Sequence, residues 1–115
     1  MKLDEFFRCV GGGYGEAKAR FQNDERIVRF LNMFPGDDSM QNLTNAMNTG
    51  DTTTAFRAVH TLKGVAQNLG FDGLYRAAFA LTEEMRGGAP LKNAALYDAV
   101  AKQQQIVIDA VRQLA

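Results

Sequence analysis

The sequence predicts an all-α protein: an antiparallel up-and-down four-helix bundle with additional short N-terminal helices. Two observations predict it. Apolar residues recur at alternating steps of three and four along most of the chain, the spacing of one helix face. Gly, Pro and Asp fall at the ends of these runs, where helices start and stop. A third observation excludes the alternative. No Asn-Gly or Asp-Gly pair joins two alternating runs as in a β-hairpin, since Asp72-Gly73 precedes a helical pattern.

A short helix is expected over Leu3 to Val10, ended by Gly11, Gly12 and Gly13, and a second piece over Tyr14 to Phe21. Asn23 or Asp24 is placed to cap a further run, in which Ile27, Val28, Phe30, Leu31 and Phe34 form an apolar face. Pro35-Gly36 stops it. The next helix begins near Asp38 or Ser39, with Met40, Leu43 and Met47 facing inward and Gly50 as its stop. Asp51 caps the helix that follows, whose seam is Ala55, Val59, Leu62, Ala66 and Leu69, and Gly70 ends it. Asp72 is expected to cap the next, with Leu74, Ala78, Leu81 and Met85 as its seam and Gly87-Gly88 as its end. Pro90 suits the first turn of the last helix, whose seam runs through Leu96, Val100, Gln103, Val107, Ala110 and Leu114.

Short loops between four amphipathic helices make sequence neighbours antiparallel. A single domain is expected over 1–115. The N-terminal helices, 1–36, would pack across one end or side of a bundle formed by 37–115. This length buries a core without disulfide or metal staples.

Charge and composition narrow the function. Lys plus Arg and Asp plus Glu are both 13, so the net charge is 0 and no overall field steers the chain to nucleic acid or anionic membrane. Cys9 is the sole cysteine, so it forms no internal disulfide and no cysteine metal cluster, and a reducing compartment is the natural setting. The start, Met-Lys-Leu-Asp-Glu, is charged where a signal peptide is apolar. No stretch reaches the roughly 18–20 apolar residues of a membrane span. The expectation is a cytoplasmic monomer without nucleic-acid or membrane partners.

One helix has a second face. With each residue advanced by about 100° and the seam of Ala55 to Leu69 set at zero, His60 lies near about 140°. Phe56, Lys63, Gly64 and Gln67 follow at roughly 100°, 80°, 180° and 120°. The only histidine in the chain therefore points away from the core, beside a lysine and a glycine. A lone surface histidine or lysine is ordinarily just a solvated group. Gly64 is harder to dismiss, since glycine in a helix interior costs about 1 kcal/mol relative to alanine. A gap one turn from an exposed nucleophile lets another molecule come close.

The chemistry suits phosphoryl handling. Imidazole ordinarily titrates near a pH of about 6.5, so a free ring nitrogen is available to attack. A neighbouring ammonium disfavours imidazolium and pairs with phosphoryl oxygens. No acidic cluster stands here for Mg²⁺, no glycine-rich loop for ATP, and no general base is evident.

The run His60-Thr61-Leu62-Lys63-Gly64 with Leu69-Gly70 at the helix end resembles the signature of histidine-containing phosphotransfer (HPt) domains. Thr61 stands at a free position; at average residue frequencies, chance gives the six matches His60, Leu62, Lys63, Gly64, Leu69 and Gly70 in a chain this long on the order of once in 10⁵ sequences. Similarity extends at lower specificity from about Arg20 to Arg86, through Arg20 to Glu25, Gly50-Asp51 and Leu81 to Arg86. The resemblance implies a four-helix bundle with His60 as phosphoryl acceptor through Nε2. Lys63 would attract the phosphate, and Gly64 would leave room for a docking receiver domain. Thr82 and Arg86 fall where family members place a polar or basic residue near the phosphate, and Gln67 is a further candidate. Phe56 and Phe71 are read as a small hydrophobic docking patch for the receiver.

The implied role is a phosphorelay intermediate that exchanges a phosphoryl group with Asp of response-regulator receiver domains, upstream of which stands a histidine kinase or hybrid kinase. The chain itself would carry no ATP-dependent kinase activity, no metal and no cofactor, Mg²⁺ being expected on the receiver. The Met start and compact length suggest a free-standing protein. A different class is a bundle that docks a kinase or receiver without carrying phosphate; an intact His, Lys and Gly argue against it. A di-iron bundle needs Glu-x-x-His pairs on two helices, and this chain has one His.

Overall fold

The computed structural model describes residues 1–114. Among them the helices are α1 (Leu3–Cys9), α2 (Tyr14–Phe21), α3 (Asp24–Met33), α4 (Ser39–Thr49), α5 (Thr52–Leu69), α6 (Asp72–Glu84) and α7 (Ala94–Arg112). Tight 3₁₀ turns follow α3 at Phe34–Gly36 and α6 at Arg86–Gly88. No strand occurs among the described residues, and no helix there is long and apolar enough to cross a membrane.

The last four helices form the bundle. α4 and α5 are joined by two residues, Gly50 and Asp51, and α5 and α6 by Gly70 and Phe71. Connections this short force each pair antiparallel. Both glycines adopt left-handed backbone, φ 74° and 80°, which turns the chain back without a β-carbon penalty. The seam residues of α5 and α6 are buried: Ala55, Val59, Leu62, Ala66 and Leu69 meet Leu74, Ala78, Leu81 and Met85. From α7 come Val100, Val107, Ala110 and Val111. α7 is tied to α4 by the hydroxyls of Tyr97 and Thr44, 2.9 Å apart.

Three short helices precede the bundle. Gln22, at φ 78°, ends α2, and the Asn23 side chain then caps α3 by accepting from the Arg26 N–H at 2.9 Å. Phe6 and Phe7 of α1, with Val10 just after it, are buried at the end of the bundle where α5 turns into α6. There Phe71 takes Phe6 edge-on at 5.9 Å and Phe34 edge-on at 5.0 Å. The Val10 carbonyl accepts from the Gly73 N–H at 3.0 Å, and Gly12 lies directly against Gly70.

Three local expectations are corrected. The N-cap of α6 is Phe71, with Asp72 already the first helical residue and making no capping bond, because the core claims the Phe71 ring. Pro90 lies outside α7, which starts four residues later behind Asn93, whose side chain accepts from the Ala95 N–H at 3.1 Å. Leu91 instead folds back against the core and keeps this segment non-helical. Phe30 falls at the edge of the α3 stripe, 39% exposed, and pairs with Phe21 at 5.1 Å rather than joining Ile27, Leu31 and Phe34 in the core.

Candidate functional site

The site is built on α5. Asp51 fixes where the helix begins: its carboxylate accepts from the Thr54 N–H at 3.0 Å and the Thr54 hydroxyl at 2.6 Å. These two bonds, chiefly the hydroxyl one, hold the Asp51 carboxyl below its ordinary range, with a smaller contribution from the Arg57 charge. Within the helix, Ala55, Ala58 and Ala66 are small buried residues that let the flanking helices approach. The opposite face carries Arg57, His60, Thr61, Gly64 and Gln67, all exposed.

His60 stands mid-helix with its imidazole in solvent. Its near neighbour is Phe56, one turn earlier, with ring centroids 6.0 Å apart and planes tilted by 40°. At Gly64 a β-carbon would meet no heavy atom within 4 Å, so this glycine does not serve helix packing. The side of His60 towards Gly64 is correspondingly bare. Lys63 is half-buried and leans towards α6, its Nζ lying 5.5 Å from the ring centroid of Phe79.

A second cation lies along the α6 edge. The Arg86 guanidinium sits 6.0 Å from the Phe56 ring centroid and forms a two-point pair with Glu83, Nε to Oε2 at 3.2 Å. The Arg86 hydrogen bond pulls the Glu83 carboxyl below its usual range; the Arg86 and Lys63 charges add to this. The same pairing holds the Arg86 guanidinium above its ordinary value. Lys63, Phe79, Glu83, Arg86 and Phe56 thus form a continuous strip beside the histidine.

The sequence candidates separate accordingly. His60, Lys63, Gly64, Phe56 and Arg86 are brought together on one flank. Gln67 shares the exposed face but lies seven residues, about 10 Å, along the helix from His60. Phe71 is not a docking residue: it is fully buried between Phe6 and Phe34. Thr82 is also fully buried, and its hydroxyl donates to the Ala78 carbonyl at 2.6 Å, so it cannot face a phosphate. Phe56 is half-buried rather than freely projecting.

Two residues escaped the sequence reading. Arg57 precedes His60 by three residues and shares its exposed face, a relation that the spacing alone could have revealed. Phe79 is 44% exposed and lies off the α6 seam, so an aromatic residue at a non-seam position was the available signal.

Chemically, the site presents an exposed ring nitrogen with cationic side chains close by, on a face a partner can reach. Such cations neutralise a phosphoryl dianion through charge-assisted hydrogen bonds. A comparison with protein families matches residues 35–114 to the Hpt domain, a stretch that takes in α4 to α7. No curated protein matches the chain, and no solved structure does.

Proposed function

The chain belongs to the Hpt domain family, whose members carry phosphoryl groups in histidine phosphotransfer, and from that premise we propose that His60 is the residue phosphorylated here. The observation that carries this reading is the position of the chain's only histidine: mid-helix, solvent-facing, and next to a glycine whose surroundings are empty.

In the proposed reaction a receiver domain docks over the outer face of α5. The Nε2 lone pair of His60 attacks phosphorus in the receiver's aspartyl phosphate. The P–N bond forms as the acyl-phosphate P–O bond breaks, and the aspartate leaves as a carboxylate. The proton on Nδ1 stays with the ring. Lys63 takes up the phosphoryl charge, with Arg86 and Arg57 further out, and Gly64 admits the receiver. Transfer onward is the same exchange in reverse. Mg²⁺ is assigned to the receiver, and the chain works as a monomer between a histidine or hybrid kinase and a response regulator.

The test is transfer from radiolabelled phospho-receiver domains. Wild-type protein should gain label that acid releases and alkali does not, as phosphohistidine requires. His60→Gln should fold normally and take none. Label on the variant at the wild-type level would place the site elsewhere. Binding of a receiver or kinase with no label on wild type would make the chain a docking adaptor.

A further inference from the structure

We propose that Phe79 is a positioning residue for Lys63: its ring holds the lysine ammonium on the α6 side of the His60 face, so that the charge is already in place when a phosphoryl group arrives. This rests on the reading of His60 as the phosphorylated residue.

The geometry is specific. Lys63 Nζ lies 5.5 Å from the Phe79 centroid, inside the roughly 6 Å over which a ring face attracts a cation. Phe79 has no core duty that explains it. Its helix packs through Leu74, Ala78, Leu81 and Met85, all fully buried, while Phe79 keeps 44% of its surface in solvent. The ring is braced by Tyr75 one turn earlier, with centroids 6.1 Å apart. One turn later stands Glu83, which makes its two-point pair with Arg86 and meets Lys63 through charge alone, with no salt bridge between them.

Lysine has a long, freely rotating stem. An unrestrained ammonium must be ordered as the phosphoryl group lands, and that ordering weakens its help. A ring already attracting the ammonium from 5.5 Å removes part of this cost in advance. The hold is also weak enough to yield. A cation on an exposed ring is bound less strongly than one hydrogen-bonded to a dianion, so the ammonium can turn to the phosphate without resistance.

Phosphoramidate tests this without a protein partner, so docking effects are absent. Its P–N bond breaks as the bond to His60 Nε2 forms; the already protonated amine leaves as ammonia, and the Nδ1 proton stays with the ring. Phe79→Leu should be phosphorylated about two- to five-fold more slowly than wild type, the range of an exposed cation–ring contact. Phe79→Tyr should restore the wild-type rate. In a Lys63→Met background, Phe79→Leu should change nothing further. By NMR, the Lys63 side-chain protons should show ring-current shifts that vanish in Phe79→Leu and return in Phe79→Tyr.

Equal or faster labelling of Phe79→Leu overturns the proposal, as does a slow Phe79→Tyr, an effect that persists without Lys63, or an absent ring-current shift. Failure of wild type to be labelled at all overturns instead the phosphotransfer reading, and this proposal with it.

Discussion

Gly12 lies so close to the Gly70 carbonyl that a β-carbon on Gly12 would collide with that oxygen. The contact locks the loop after α1 against the corner between α5 and α6. The obstacle is backbone, which cannot swing aside as a side chain would. Gly12→Ala should therefore cost about 1–3 kcal/mol and lower the melting temperature. His60 lies ten residues, about 15 Å, along α5 from Gly70, so phosphotransfer at low temperature should survive. An unchanged melting temperature would show that the corner gives way freely.

Phe71 makes the opposite prediction from a docking residue. Its ring is fully buried among Phe6 and Phe34. Phe71→Ala should destabilise by about 3–5 kcal/mol, the usual loss for a buried aromatic. Receiver affinity, measured where the variant is still folded, should stay near wild type. Weak binding with intact stability would return Phe71 to the docking surface.

Gly64 separates access from stability. A side chain there meets nothing, and glycine is a poor residue for a helix interior. Gly64→Gln should hold or raise the melting temperature, by up to about 1 kcal/mol in stability. Overhanging His60, it should slow transfer from a receiver on the order of tenfold to a hundredfold. Thermal unfolding and single-turnover transfer on the same variant decide this: lost stability with intact transfer would make the glycine a packing residue.

Asp51 couples α5 to pH. Its carboxyl is held low in the folded protein, first by the Thr54 hydroxyl, then by the Thr54 N–H and the Arg57 charge. A group with a depressed folded value contributes stability above its unfolded pKa and loses it as pH falls through the folded one. Asp51→Ala should therefore melt below wild type at pH 7, and the gap should narrow as pH drops below about 4. Parallel melting curves from pH 7 to pH 3 would rule out a charge contribution.

The helices of the bundle were legible because each carries its own period and its own stops. Ala55 to Leu69 repeats the seam spacing between Asp51 and Gly70, so the cap, the core face and the outward direction of His60 all follow from one segment. What eluded the sequence depends on distant parts meeting. Phe71 follows a helix-ending glycine and reads as surface; it is buried because Phe6 and Phe34 arrive from elsewhere in the chain. The pairing of Lys63 with Phe79 depends on how α6 is rotated about its axis relative to α5, which no spacing within either helix specifies.

On α5, Ala58, Leu62 and Ala66 face the core while Arg57, Thr61 and Gln67 face solvent, each one place from its buried neighbour. No residue belongs to both sets. Substitutions on the outward set should leave stability within about 0.5 kcal/mol, as exposed positions generally do. On the proposed reading of this face as the receiver's docking surface, the residues that tell one receiver from another can be exchanged at little expense to folding. On that reading a gene duplicate changes its correspondents through a few outward substitutions and melts as its parent does, so insulation between circuits drifts independently of the scaffold that carries it.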